Sequence, residues 1–357
     1  MIGNRLSLAR KSAGFSLREL QQRIDNIASA QAISKYERNE MMPGSKVLIA
    51  LAKALGVSES YLLGDQEIEL SAVEFRKNRI TSKKEEASIK ASVLSAVERY
   101  LEIEEVVGVA SFQWNKPFDA PYPVKTLEDA ENAALQLRRH WGLGIDPIPN
   151  LAEFLEEQGI KVIPQALSNN VSGMMSIAQR GKGSEVPVVV VNSGDTGERQ
   201  RFTLAHELGH LVLHVQSGLD VEKAAHRFAG AFLIPRDSFA NEVGRHRHTI
   251  SLGELFELKA IYRVSVQMIA YRCKDLGIIG DQTFRGLFDR FEAAGWRKPP
   301  YPEPMKLAPE QPMRFRRLVF RALSEGAVSE AKAAELLAIS VRTLDKLLDS
   351  PPGATLA

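Results

Sequence analysis

Hydrophobic positions recur at helical spacing in several separate blocks of the chain. Near the N-terminus Leu6, Ala9, Phe15, Leu17 and Leu20 form one apolar face, and Leu48, Leu51, Ala52 and Leu55 form another. Between them Ser16 and Glu19 stand at the spacing of a capping box, in which each side chain satisfies the other residue's backbone donor at a helix start. This predicts a helix from Leu17 to near Asp25-Asn26 and a second from around Ser29 through Tyr36. Two short helices joined by a tight turn make a helix-turn-helix, whose second helix enters the major groove. On that helix Gln31 can pair bidentately with adenine, while Ser34 and Lys35 can reach base edges or phosphates. A small helical bundle with an ordinary solvated face fits the same pattern.

Further along, Ile89, Val93, Val97, Tyr100, Leu101 and Ile103 predict a long helix behind a mixed-charge run from Arg76 to Lys84. Three prolines between Lys116 and Pro123 mark a boundary. The runs Val171 to Ile177 and Val186 to Val191 read as strands joined by a Gly-rich loop at Arg180 to Ser184; an edge strand there can bind an extended peptide by strand addition, and two core strands with no such role fit equally well. Six prolines between Lys298 and Pro312 read as a semi-rigid linker or surface crossing. After it, Ser329 to Leu348 imitates a second helix-turn-helix, with a weak charge case for DNA. The chain thus divides into residues 1–65, a helical connector 66–125, a mixed region 126–295, and a crossing with a helical tail 296–357.

Composition narrows the chemistry. The 357 residues are 44% hydrophobic and 25% charged, which excludes a fibre or a disordered tail protein. The net charge of +2 gives no field of the whole molecule, yet residues 1–64 carry nine Lys/Arg against five Asp/Glu. No signal-peptide core or membrane-length apolar run stands out, so the expected location is cytoplasmic, with no membrane partner. The only cysteine, Cys273, excludes a thiolate zinc cluster and reads as a core residue. Any metal must therefore use His and carboxylates.

The segment from Arg199 to His214 supplies them. His206 and His210 are four apart, so on a helix both imidazoles project from one face and can bind one zinc ion. Glu207 lies about 100° round the helix, placed to take a proton from zinc-bound water. Asp195 with Glu198 offers a helix start of capping-box type, and His214 continues the stripe one turn further as a structural or supporting residue. A third ligand is needed. Ala225, Phe228, Ala229, Phe232 and Leu233 predict another helix, whose polar end carries Glu222, with His226 as the competing ligand and a helix-start carboxylate as the ordinary alternative for Glu222. The basic cluster Arg245 to His248 reads as a solvated loop.

Two resemblances extend this reading. Arg5-Leu6, Ser16 to Leu20, Ile33 to Arg38, Pro43 and Leu51 to Ser58 resemble the Cro/XRE-type helix-turn-helix family. That resemblance implies a five-helix DNA-binding domain acting as a dimer on a palindromic operator. Gln21 departs from the family's alanine, and Asn39 from its glycine. Val171-Ser-Gly-Met, the strand to Asn192, Arg199 to His210 and Glu222 to Pro235 are similar to the ImmA/IrrE family of zinc metallopeptidases. This similarity implies His206, His210 and Glu222 as zinc ligands, Glu207 as catalytic base, and a repressor-like protein substrate. Here His226 replaces the family's Asn. The expected fold is α+β, mainly helical, with a zincin-like domain holding a small sheet. The expected function is a DNA-binding regulator that hydrolyses a peptide bond in a regulatory protein; the alternative is a non-catalytic transcription factor whose zinc domain senses a ligand.

Overall fold

The structure, a computed structural model, describes residues 2–64, 68–75, 83–109, 114–168, 171–180, 184–298 and 301–349. Five helices come first: α1 (Ile2–Ser12), α2 (Leu17–Arg23), α3 (Ala30–Glu37), α4 (Ser45–Leu55) and α5 (Glu59–Leu63). They close over Leu6, Leu20, Ile33 and Leu51, all fully buried. The predicted capping box forms, with the Ser16 amide donating to Glu19 at 2.6 Å and the Glu19 amide to the Ser16 hydroxyl at 3.2 Å. α2 stops where Asp25 and Asn26 take φ of 53° and 57°, and α3 opens on Ser29, whose hydroxyl accepts from the Ala32 amide. Such caps are each worth about 1 kcal/mol. Gln21 spans the turn: its Nε2 donates to Asn26 Oδ1 and its Oε1 accepts from the Ala30 amide, both at 2.9 Å. Asn39 adopts the left-handed conformation at φ 58°, and its Oδ1 receives the Gly3 amide.

Next come β1 (Ile68–Phe75), α6 (Lys83–Val106), β2 (Tyr122–Val124), α7 (Leu127–His140), α8 (Leu151–Glu157), β3 (Lys161–Gln165), β4 (Gly173–Arg180) and β5 (Ser184–Asn192). Residues 76–82 of the charged run and 181–183 of the Gly-rich loop lie outside the described residues. The sheet has the order β1-β4-β5-β3, with β4 antiparallel to both neighbours and β3 parallel to β5. Val186, Val188 and Val190 share a core with Val93, Val97 and Leu101 of α6, whereas Val189 and Val191 face the opposite core. Burial on both sides explains why β5 is apolar without alternation. Neither β4 nor β5 is an edge strand, because β1 pairs with β4 and β3 with β5. The expectation of strand addition to either therefore fails in this conformation.

The remaining elements are α9 (Gly197–Val212), β6 (Leu213–Val215), α10 (Val221–Leu233), α11 (Arg236–Val243), α12 (Leu252–Tyr262), α13 (Val266–Asp275), α14 (Asp281–Ala293), α15 (Arg314–Ser324), α16 (Glu330–Leu337) and α17 (Val341–Asp349). The start of α9 differs from the capping-box expectation. Thr196 is the N-cap without a side-chain cap bond, and Glu198 turns inward to Lys259 at 2.5 Å, both partners almost wholly buried. A buried lysine demands a counter-charge, and Glu198 answers that demand instead of capping. The end differs too: Leu213 is extended, so His214 leaves the histidine stripe and lies exposed in β6, paired with Pro123 of β2.

The proline-rich segment is bound down rather than spanning a gap. Glu303 accepts from Lys259 at 2.6 Å and from the Val266 amide at 3.0 Å, and Glu310 pairs with Arg201 and accepts the Leu151 and Ala152 amides at the start of α8. The tail returns to α6: Leu318, Val319, Leu336 and Leu344 join the core beneath it. No helix among the described residues is long and apolar enough to cross a membrane.

Candidate metal centre and DNA interface

The sheet and α10 fix α9 from two sides. Gly173 of β4 is placed so that a Cβ there would meet Val190 O at 2.6 Å and Thr203 at 2.4 Å, so β4 is held against the helix where only glycine fits. Gly209 does the same for α10, whose Phe228 ring and Ala225 backbone stand 3.1 and 3.4 Å from the position of its missing Cβ. Phe228, Ala229 and Phe232 bury the facing stripe of α10, as their spacing predicted. Behind it Glu131 of α7 accepts from Arg272 at 2.7 and 2.5 Å and from Arg227 at 2.7 Å, tying α7, α10 and α13 together without exposure of the carboxylate.

This packing brings the N-terminal turn of α10 over the histidines. Asp220 caps the helix by accepting from the Glu222 and Lys223 amides, which leaves the Glu222 carboxylate turned to α9. His206 Nε2 and His210 Nε2 are 2.9 Å apart, and the Glu222 oxygens lie 3.4 Å from the first and 3.3 Å from the second. Three donors around a tetrahedral ion at 2.0–2.2 Å are separated by about 3.4 Å, so the donor set suits zinc in number, type and spacing. His206 is fully buried while the Glu222 side chain is 51% exposed, so the triangle faces solvent on the Glu222 side. Glu207 is 2% exposed, on the same turn as His206.

His226 stands beside this triangle rather than in it. Its Nδ1 donates to the Glu222 carbonyl at 2.7 Å, its ring stacks on Phe202 at 5.5 Å, and it meets the His206 ring edge-on at 4.6 Å. The group of possible ligands among the described residues comprises His206, His210 and Glu222. Cys273 is fully buried, and burial pushes its thiol up to about 12, which leaves it inert. Arg247 of the basic loop is taken by Glu254 at 2.9 Å.

On the N-terminal domain Gln31 and Lys35 are exposed on α3 with Ser34 half-buried between them. Arg38 Nη1 donates to the Ser34 hydroxyl at 2.6 Å while its fork holds Glu40. Arg38, which the sequence reading passed over, therefore shares the exposed face with the three residues it singled out.

Comparison with protein families matches residues 6–62 to a helix-turn-helix domain and residues 155–274 to the IrrE N-terminal-like domain, a peptidase family. The chain joins an XRE-type helix-turn-helix domain to an IrrE-like peptidase-family domain. A search of curated proteins finds no match. The IrrE-like match spans both helices of the candidate centre, from α9 through His226 and on to α13. It excludes β1, α6 and the proline-rich segment. The pairing of a DNA-binding domain with a peptidase-family domain makes the protein a regulator with a peptidase-like domain.

Proposed function

We propose that the protein binds operator DNA through α3 and hydrolyses a peptide bond in a regulatory protein at a zinc site made by His206, His210 and Glu222. The observation that carries this reading is the triangle of ligand atoms at 2.9–3.4 Å, with the buried Glu207 carboxylate on the same turn of α9 as His206. Zinc, when bound, supplies the Lewis acidity that brings a water towards ionisation near neutral pH and polarises the peptide carbonyl. Glu207 accepts the water's proton on its carboxylate and returns it to the departing amine. His226 braces the ligand set: its bond to the Glu222 carbonyl holds the first turn of α10, and its ring packs on His206. At the other end of the molecule Gln31 reads adenine, with Ser34, Lys35 and the neighbouring Arg38 at base edges or phosphates. The binding unit on DNA is a homodimer on a palindrome, and the compartment is the cytoplasm.

A second reading has one observation in its favour. β1 already fills the outer edge of β4, where an extended substrate would otherwise pair, and this suits a zinc domain that senses rather than cuts. The two readings part in one experiment. Zinc analysis should give about one equivalent for wild type and Glu207→Gln and none for His206→Ala. Each protein is then incubated with the regulatory proteins encoded beside it. Cleavage by wild type and not by Glu207→Gln supports the peptidase; equal zinc with no cleavage by either supports the sensor.

A further inference from the structure

A cavity of about 180 Å³ opens beside the candidate metal centre, far above the ~10–15 Å³ that one water needs. Its walls are Arg199 and Phe202 of α9, Gln267 of α13, and Trp296, Tyr301 and Lys306 around the proline-rich segment. Phe202 is the common wall with the metal side, since its ring lies 6.1 Å from His206 and stacks at 5.5 Å on His226. The candidate metal centre and the cavity are therefore neighbours across the Phe202 ring.

The segment from Tyr301 to Glu310 is a built wall. The Arg199 guanidinium lies 5.0 Å over the Tyr301 ring and donates to its hydroxyl at 3.1 Å. Glu303 is locked to Lys259, Glu310 to Arg201, and the backbone around Leu307 and Ala308 presses on Gly197, where no Cβ would fit. The charges facing the cavity are unequal in their commitments. The two acids in its wall, Glu198 and Glu303, are buried and both engaged by Lys259 at 2.5 and 2.6 Å. Arg199 is shared with Asp195 at 3.0 Å. Lys306 is exposed and has no hydrogen bond or ion pair among the described residues. An uncommitted ammonium beside a second cation, with three aromatic rings to cover a carbon stem, suits an anion on a short stem.

We propose that this cavity is a binding site for a carboxylate-bearing group, with Lys306 as the specificity-determining residue and Phe202, Trp296 and Tyr301 covering the stem. Resting on the zinc-peptidase reading, it selects an acidic side chain next to the cleaved bond; a free dicarboxylate is the other source of the same chemistry.

Four probes separate these statements on the full-length, zinc-loaded protein, with the hydroxamate affinities read by calorimetry. Acetohydroxamate, too short to reach the cavity, reads the metal centre alone. Glutaric acid monohydroxamate and its terminal amide read the centre and cavity together, and free glutarate, followed by tryptophan fluorescence, reads the cavity alone. The acid should bind about tenfold more tightly than the amide, the size of one charge-assisted hydrogen bond. Lys306→Ala should bring the two within twofold, and Lys306→Glu should favour the amide. Equal binding of acid and amide to wild type, or a preference that survives Lys306→Ala, overturns the proposal. If acetohydroxamate fails to bind, the metal reading is lost and glutarate decides: saturable binding abolished by Lys306→Ala supports the site, and its absence in wild type overturns it. Saturable glutarate binding alongside a tethered preference assigns both sources; preference in the tethered pair alone assigns the side chain.

Discussion

Helix α3 and the seam between α9 and α10 carry the two proposed functional surfaces, and they are built on different scales. Gln31, Ser34, Lys35 and Arg38 come from one short segment, so helical spacing alone sets them on one face. The candidate metal triangle takes two donor residues from α9 and a third from another helix, whose approach depends on Gly209, on Phe228 and on a buried carboxylate in α7. The neighbouring cavity needs a segment about a hundred residues further on. A surface carried by one helix depends only on the packing that holds that helix, whereas one assembled across helices depends on every contact between them.

The largest difference between the two regions should follow from removing the clamp behind α10. Glu131→Ala leaves the buried Arg272 without its counter-charge and should cost about 3–5 kcal/mol in the unfolding of the IrrE-like domain. Chemical denaturation followed by zinc titration checks it, and DNA binding by α1 to α5 should persist. Equal loss of zinc and DNA binding would mean that the two regions are one cooperative unit. Smaller effects sharpen the other side. Gln31→Ala should cost about 1–3 kcal/mol of discrimination at one base pair, measured by binding to single-substituted operators. Lys35→Ala, if Lys35 touches phosphate, should leave base preference alone and reduce the salt slope by about one.

The junction of the regions offers a pH test. Arg5 of α1 donates to Glu98 of α6 at 2.5 Å, yet burial outweighs this partner and pushes the Glu98 carboxyl up to about 7. A raised folded-state value means that the contribution of Glu98 is fully present below the ordinary value of 4.5 and is lost as pH rises through 7. Relative to Glu98→Gln, wild type should therefore lose about 1 kcal/mol of stability per pH unit across that window, read from urea denaturation at several pH values. Parallel pH profiles for the two proteins would assign the pH dependence elsewhere.

Much of the N-terminal domain was legible because its signals are local. Ser16 and Glu19 cap where their spacing said they would, and Asp25 and Asn26 end α2. Gln21 was harder to place: in sequence it departs from a small residue, and in the structure its amide bridges the turn. The His206 stripe was legible for the same reason, but its ends were not. Glu198 is drawn inward by Lys259, sixty-one positions away, and His214 is claimed by pairing with β2. Likewise, the proline count between Lys298 and Pro312 could not reveal that Glu303 and Glu310 have buried partners.

By itself the sequence determined the helices that carry the chemistry, since periodicity, caps and the four-residue spacing of His206 and His210 act within one or two turns. Tertiary structure decided what comes together around them: Glu222 over the histidines, β1 along β4, and Lys306 and Phe202 in the walls of one cavity. The physical reason is range. Backbone hydrogen bonding and capping are settled by near neighbours in the chain, while burial, counter-charges and close backbone approach depend on groups that only folding brings together.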